Sequence, residues 1–202
     1  MSFNFQPPTH LDVTVTLIGI EPPIWRRLHI PLDVTFARLH GVLQAAFGWK
    51  DAHLHEFIVG GLSVGNPAFN EDGWSSHRTL DAESLRLRDL RIGYDVTLSF
   101  EYVYDFGDNW RHWICVNRSF ASEGKLPECV EGARNAPPED SGGISGYEEF
   151  LDAWRDPEHP DHKRMRRWVG RAYDPDSFNL EKINKAIRMA SKGLLLGGYK
   201  MD

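Results

Sequence analysis

The sequence predicts an α+β fold built on a mostly antiparallel sheet. Three observations predict it. Apolar residues at every second position dominate the first 120 positions, the period of a half-buried strand. One strong helical stripe, Phe36, Leu39, Val42, Leu43 and Ala46, stands among them. After position 146 the apolar spacing changes to three and four, the period of a helix. The 202 residues therefore read as a single domain, 1–202: sheet-rich over 1–120, a loop over 121–145 and helical over 146–192.

The elements follow in order. Leu11 to Ile20 alternates, with Val13, Val15 and Leu17 on one face and Thr14, Thr16 and Ile18 on the other. Pro22-Pro23 interrupts it, because proline donates no ladder hydrogen bond. Trp25 to Ile30 resumes as the antiparallel partner. Thr35 is a good N-cap for a helix reaching about Phe47, and Gly48 supplies the stop. Leu54 to Val59 predicts a third strand, Gly60-Gly61 a turn, Asn66 to His77 a polar loop, and Ser84 to Leu90 one helical turn.

Tyr94 to Tyr104 is the strongest strand, with Leu98, Phe100, Tyr102 and Tyr104 on one face. Trp110 to Val116 is its return strand. The turn between them, Asp105 to Asn109, has Gly107 to permit positive φ, and Asp and Asn side chains to bond their own backbone. Ser122 to Ser145, with Pro137-Pro138 and Gly142-Gly143, reads as a long loop able to act as a lid. Three short helices close the chain, around Tyr147–Trp154, around Met165–Val169, and from an Asn179 cap through Ala190. The Gly-rich tail from Gly193 is expected to fray.

Composition excludes several function classes. The formal net charge is −6 and the pI near 5.8, which disfavours nucleic acid as a partner, where a basic surface supplies most of the affinity. Cys115 and Cys129 fit no Cys-x-x-Cys metal or redox pattern, and Cys115 reads as a buried small hydrophobe. No signal peptide or membrane-length apolar run is visible, so a cytoplasmic protein without a membrane partner is expected.

Five segments carry a family resemblance: Pro22-Pro-Ile-Trp-Arg-Arg27; Leu39 to Trp49 with His53-Leu-His-Glu-Phe57; Tyr104-Asp-Phe-Gly-Asp-Asn-Trp-Arg-His112; Pro137-Pro-Glu-Asp-Ser-Gly-Gly143 with Gly146-Tyr147; and Tyr173-Asp-Pro-Asp-Ser-Phe-Asn179. With them the chain resembles the Ri-plasmid open-reading-frame-three-like family, also called an insertion-element passenger family with a TnpR-like label. The resemblance implies a roll-like mixed sheet with one packed helix and helices at the C-terminal end. It implies no reaction. A serine recombinase, which the label suggests, needs a nucleophilic serine among arginines and a basic helix-turn-helix, and neither is present. Ser141 stands where the family frequently has a cysteine, so no role of that cysteine transfers.

The chemistry concentrates at the Tyr102–His112 hairpin. His53 and His55, two apart on the predicted strand, would point the same way. They can chelate a divalent metal if Asp105, Asp108 or His112 supplies a third ligand; two imidazoles with carboxylates suit zinc, iron or manganese. The alternative is that the imidazoles hydrogen-bond the turn and hold it rigid. Asp105 and Asp108 suit acid–base work if their environments split them, or simply Asx turns. The string Asp105-Phe-Gly107 is also the kinase magnesium motif, but no phosphate loop, lysine strand or His-Arg-Asp loop accompanies it.

Glu139 and Asp140 can reach the hairpin as ligands or bases, or Asp140 can pair with Arg26 or Arg27. Trp110 is the candidate exposed stacking surface among many core aromatics. Lys163 to Arg167 reads as a solvated basic helix face. Two function classes follow: a small-ligand or metal pocket with hydrolytic potential, or a non-catalytic module binding a protein partner or a second copy, with the same polar residues structural.

Overall fold

The computed structural model describes residues 6–70, 79–90, 98–170 and 172–193. In chain order it has β1 (His10–Leu17), β2 (Trp25–Pro31), α1 (Phe36–Phe47), β3 (His55–Val59), β4 (Leu62–Gly65), β5 (Thr79–Asp81), β6 (Ser99–Tyr104), β7 (Trp110–Phe120), β8 (Glu128–Ala133), α2 (Gly143–Arg155), α3 (His162–Val169) and α4 (Leu180–Ala190). The eight strands make one open sheet, β5-β4-β3-β6-β7-β1-β2-β8. All pairs are antiparallel except β4 with β5, and that pair makes the sheet mixed. This is the α+β fold that the two sequence periods predict.

One sheet face is the core. Val13, Leu28 and Val116 line up across β1, β2 and β7, and Phe57, Tyr102 and His112 across β3, β6 and β7. All of these are buried. Helix α1 lies on this face, with Phe36 edge-on to Phe57 and Phe100 at 5.1 and 5.9 Å. Its boundaries are local chemistry: Thr35 accepts the Arg38 N–H, and Gly48 takes the left-handed conformation at φ 82°.

The opposite face is polar. There Asp12 is fully buried beneath Arg27, which grips both its oxygens at 2.9 and 2.7 Å, with Arg118 and Asn117 adding further bonds. These donors hold the Asp12 carboxyl well below the usual carboxylate range, the Arg27 bond being the largest cause.

Several expectations change. The stretch 121–145 is not all loop, since it contains β8, an edge strand on β2. Strand β8 is clamped from outside, where the Asn184 amide on α4 accepts the Cys129 N–H and donates to its carbonyl, both at 2.8 Å. A side-chain amide thus replaces the missing neighbouring strand and covers the edge. Strands β4 and β5 were not foreseen, and β7 runs four residues past Val116. Gly60 and Gly61 do form the β3–β4 turn, both at positive φ. Residues 94–97 of the predicted Tyr94–Tyr104 strand lie outside the described residues, as does most of the polar loop after Asn70. Both cysteines are free.

Candidate functional site

The β6–β7 hairpin sits mid-sheet, pairing Tyr104 with Trp110 and Tyr102 with His112. In its turn the left-handed residues are Asp105 (φ 56°) and Asn109 (φ 55°), not Gly107. Asp105 adopts this conformation because its Oδ1 accepts the Gly107 and Asp108 N–H groups at 2.9 and 3.3 Å. That leaves Oδ2 facing away from the turn.

His53 does not share a strand face with His55. Strand β3 begins at His55, and His53 lies in the bend before it. The two imidazoles therefore enter different clusters. His53 Nε2 is 3.0 Å from Asp140 Oδ1, 3.5 Å from Asp105 Oδ2 and 3.9 Å from Glu139 Oε2. This nitrogen is shielded from solvent and makes no hydrogen bond of acceptable geometry. One ligating atom each from His53, Asp105 and Asp140 lies within 4.8 Å of the others.

The Pro137–Gly143 loop is held against this point. Trp49 Nε1 donates to the Pro137 carbonyl at 3.0 Å, and the Lys50 N–H to Glu139 Oε1 at 2.7 Å. The Tyr104 hydroxyl donates to Glu139 and accepts the Ala52 N–H. Asp108 plays a different part. Its Oδ2 accepts the Gly142 N–H at 3.0 Å, just ahead of α2, so it ties the hairpin to that helix start.

His55 instead stacks on His40 of α1, a residue that sequence reasoning missed. His40 belongs to a closed circuit. Asp51 N–H donates to Gln44 Oε1, Gln44 Nε2 to the Tyr102 hydroxyl, that hydroxyl to His40 Nδ1, and His40 Nε2–H to Asp51 Oδ1, all within 2.7–3.0 Å. The His40, Asp51 and His55 donors also lie within 4.8 Å of each other. Both His40 nitrogens are already engaged, however, so a cation there would have to break the circuit. Its legible signal was position: His40 falls between Phe36 and Gln44 on one side of α1, and all three are buried.

His112 is a core residue, not a ligand partner of His53. It is fully buried against Phe47 and Trp49, and Nδ1 donates to the Tyr102 carbonyl at 3.2 Å. Burial pushes its pKa down to about 3, so it is neutral. Trp110 is 1% exposed and offers no stacking surface; Phe106 and Trp113 are the exposed aromatics of the hairpin. Arg26 and Arg27 do not pair with Asp140. Arg27 holds Asp12, and Arg26 turns into the core.

A family model for plasmid pRiA4b ORF-3-like proteins matches residues 9–182, most of the chain and all five segments singled out in the sequence. The chain belongs to the pRiA4b ORF-3-like family. An uncharacterized protein y4hQ of Sinorhizobium fredii (strain NBRC 101917 / NGR234) is 39% identical over 176 residues, 86% of this chain and 88% of that one. A crystal structure of MM3350, a protein of unknown function from Methanosarcina mazei Go1, matches with a TM-score of 0.74 at 31% identity, over 86% of this chain and 95% of that chain. Membership in the pRiA4b ORF-3-like family brings the fold but no reaction, so function rests on the geometry around His53. Among the described residues no helix is long and apolar enough to cross a membrane.

Proposed function

We propose that His53, Asp105 and Asp140 bind a divalent cation, and that the site serves metal-assisted hydrolysis. The supporting observation is His53 Nε2, a shielded nitrogen that makes no hydrogen bond of acceptable geometry among the described residues and faces carboxylate oxygens from two other segments. Donors bonded to one cation at about 2.1 Å lie about 3.0–3.4 Å apart in tetrahedral or octahedral geometry. The His53–Asp140 and His53–Asp105 separations of 3.0 and 3.5 Å match that spacing. One imidazole and two carboxylates neutralise a divalent charge and suit zinc, iron or manganese. The Asx turn orients Asp105 through its other oxygen, as outer hydrogen bonds commonly do for metal ligands. Three protein donors leave positions for water, which a bound cation acidifies into a nucleophile. Glu139, held by Lys50 and Tyr104, stands beside His53 as the neighbouring base.

A second reading has one observation of its own. Glu139 and Asp108 already tie the Pro137–Gly143 loop to Lys50, Tyr104 and the α2 start, so the cluster also works as a latch in a non-catalytic module. Calorimetric titration of metal-stripped protein with zinc and manganese separates the two. Binding is expected at one site per chain, with a raised melting temperature. It should be lost in His53→Ala and Asp105→Asn and kept in His55→Ala. Folded protein that binds neither ion, or binds equally in all variants, would leave the latch as the reading.

A further inference from the structure

A second feature lies away from the His53 cluster. Between the end of α1 and α4 is a cavity of about 300 Å³. Its walls are mostly apolar, including Phe47, Trp49, Ile183, Ala186 and Met189. Its charged lining residues are all cations, Arg26, Lys50 and Lys182; no Asp or Glu among the described residues lines it.

Arg26 is the unusual member. It is 1% exposed and makes no ion pair among the described residues. Four of its N–H groups go to backbone carbonyls, those of Ala46, Trp25, Ala133 and Arg134, at 2.7–2.9 Å. Phe47 and Phe178 lie 5.1 and 5.2 Å from the guanidinium. A guanidinium has five donors, so one N–H on Nη2 has no acceptor among the described residues. Burying a cation without a counter-charge is costly, and carbonyl dipoles offset only part of that cost. Phe47 and Ala46 explain why the group is inside; no carboxylate among the described residues compensates its charge.

We propose that the α1–α4 cavity is a binding site for a small organic monocarboxylate with an apolar body, its carboxylate facing Arg26 and the two lysines. The buried Arg26 charge and two flexible ammonium groups suit a singly charged, weakly hydrated head. A phosphate dianion would need more fixed donors than this lining supplies. The volume is at the lower end for ligand sites and fits a body of one aromatic ring or a short alkyl chain.

Calorimetry on the full chain with phenylacetate, hexanoate, phenyl phosphate and the neutral phenylacetamide tests it. Saturable binding of a carboxylate is expected, with phenylacetamide at least tenfold weaker. Lys182→Glu, at an exposed position, should weaken phenylacetate about tenfold. Ala186→Phe, which fills the cavity, should abolish binding while the variant still shows the native circular dichroism spectrum. Failure of both carboxylates to bind, or equal binding of the amide, overturns the proposal. Preference for phenyl phosphate overturns the ligand class, and carboxylate binding that survives Ala186→Phe overturns the location. None of these outcomes depends on whether His53 holds a metal.

Discussion

The imidazoles of His40 and His55 lie face to face, ring centroids 3.4 Å apart and planes 4° from parallel. Two imidazolium ions cannot share that geometry at an acceptable cost. Tyr102 and Asp51 hold His40 from either side, and burial, then the neighbouring His40 imidazole, pushes His55 down to about 2. A helix and a strand are thus joined through a pair that requires His55 to be neutral.

Stability should therefore depend on pH in a specific window. His55 and His112 sit at about 2 and about 3 in the fold, against an ordinary 6.5. Below pH 6.5 the unfolded chain binds protons at both positions that the folded chain does not. Stability is thus full above 6.5 and falls as pH drops toward those lower values, by up to about 1.4 kcal/mol per pH unit for each histidine. Urea unfolding at pH 7.0, 6.0 and 5.0 measures this. His112→Phe should flatten the slope by roughly one proton. A pH-independent midpoint between 7 and 5 would show that neither group is held neutral.

The Tyr102 hydroxyl joins Gln44 to His40 in the buried circuit. Tyr102→Phe keeps the ring in the core and strands both partners. A loss of about 1–3 kcal/mol is expected, the penalty for an unsatisfied buried polar group. Metal titration of the same variant should be unchanged, because Tyr102 touches neither His53 nor its carboxylates. An unaltered unfolding midpoint would mean that the circuit contributes no net stability.

Gly143 opens α2 at φ 68°, and a Cβ there would lie 2.7 Å from the Asp108 carbonyl oxygen. Gly48 is left-handed at φ 82° and ψ 21°, but its Cβ would meet nothing within 4 Å. Gly48→Ala should cost about 1 kcal/mol of left-handed strain. Gly143→Ala should cost that plus the clash, about 2–4 kcal/mol in all. Comparing their thermal melts isolates the packing of α2 on the hairpin. Equal losses would show that the helix start can move away from Asp108 freely.

Local patterns made much of the fold legible. The alternation from Leu11, the Thr35 and Gly48 caps of α1 and the Asn179 cap of α4 all act within a few residues, so they can be read in one dimension. Strand β8 was hidden because its support is distant: Cys129 depends on Asn184, fifty-five positions later. Arg26 was half legible. It shares strand parity with the buried Leu28 and Ile30, yet its charge argued for the surface. Only the nearby carbonyls of Ala46, Ala133 and Arg134 make an inward guanidinium tolerable.

The candidate site divides the same way. The residue types and the segments that meet, His53, Asp105, Glu139 and Asp140, were visible as chemistry. Their partition was not. Whether His53 pairs with His55 turns on where β3 begins, and that is set by pairing with β6, His55 opposite Tyr104, not by anything within His53-Leu-His55. The sequence by itself determined the periods, the caps and the α+β class, because those follow from backbone geometry over a turn or two. Tertiary structure alone decided which histidine faces carboxylates, which stacks and which is sealed in the core, because burial and register are properties of neighbours brought together from afar.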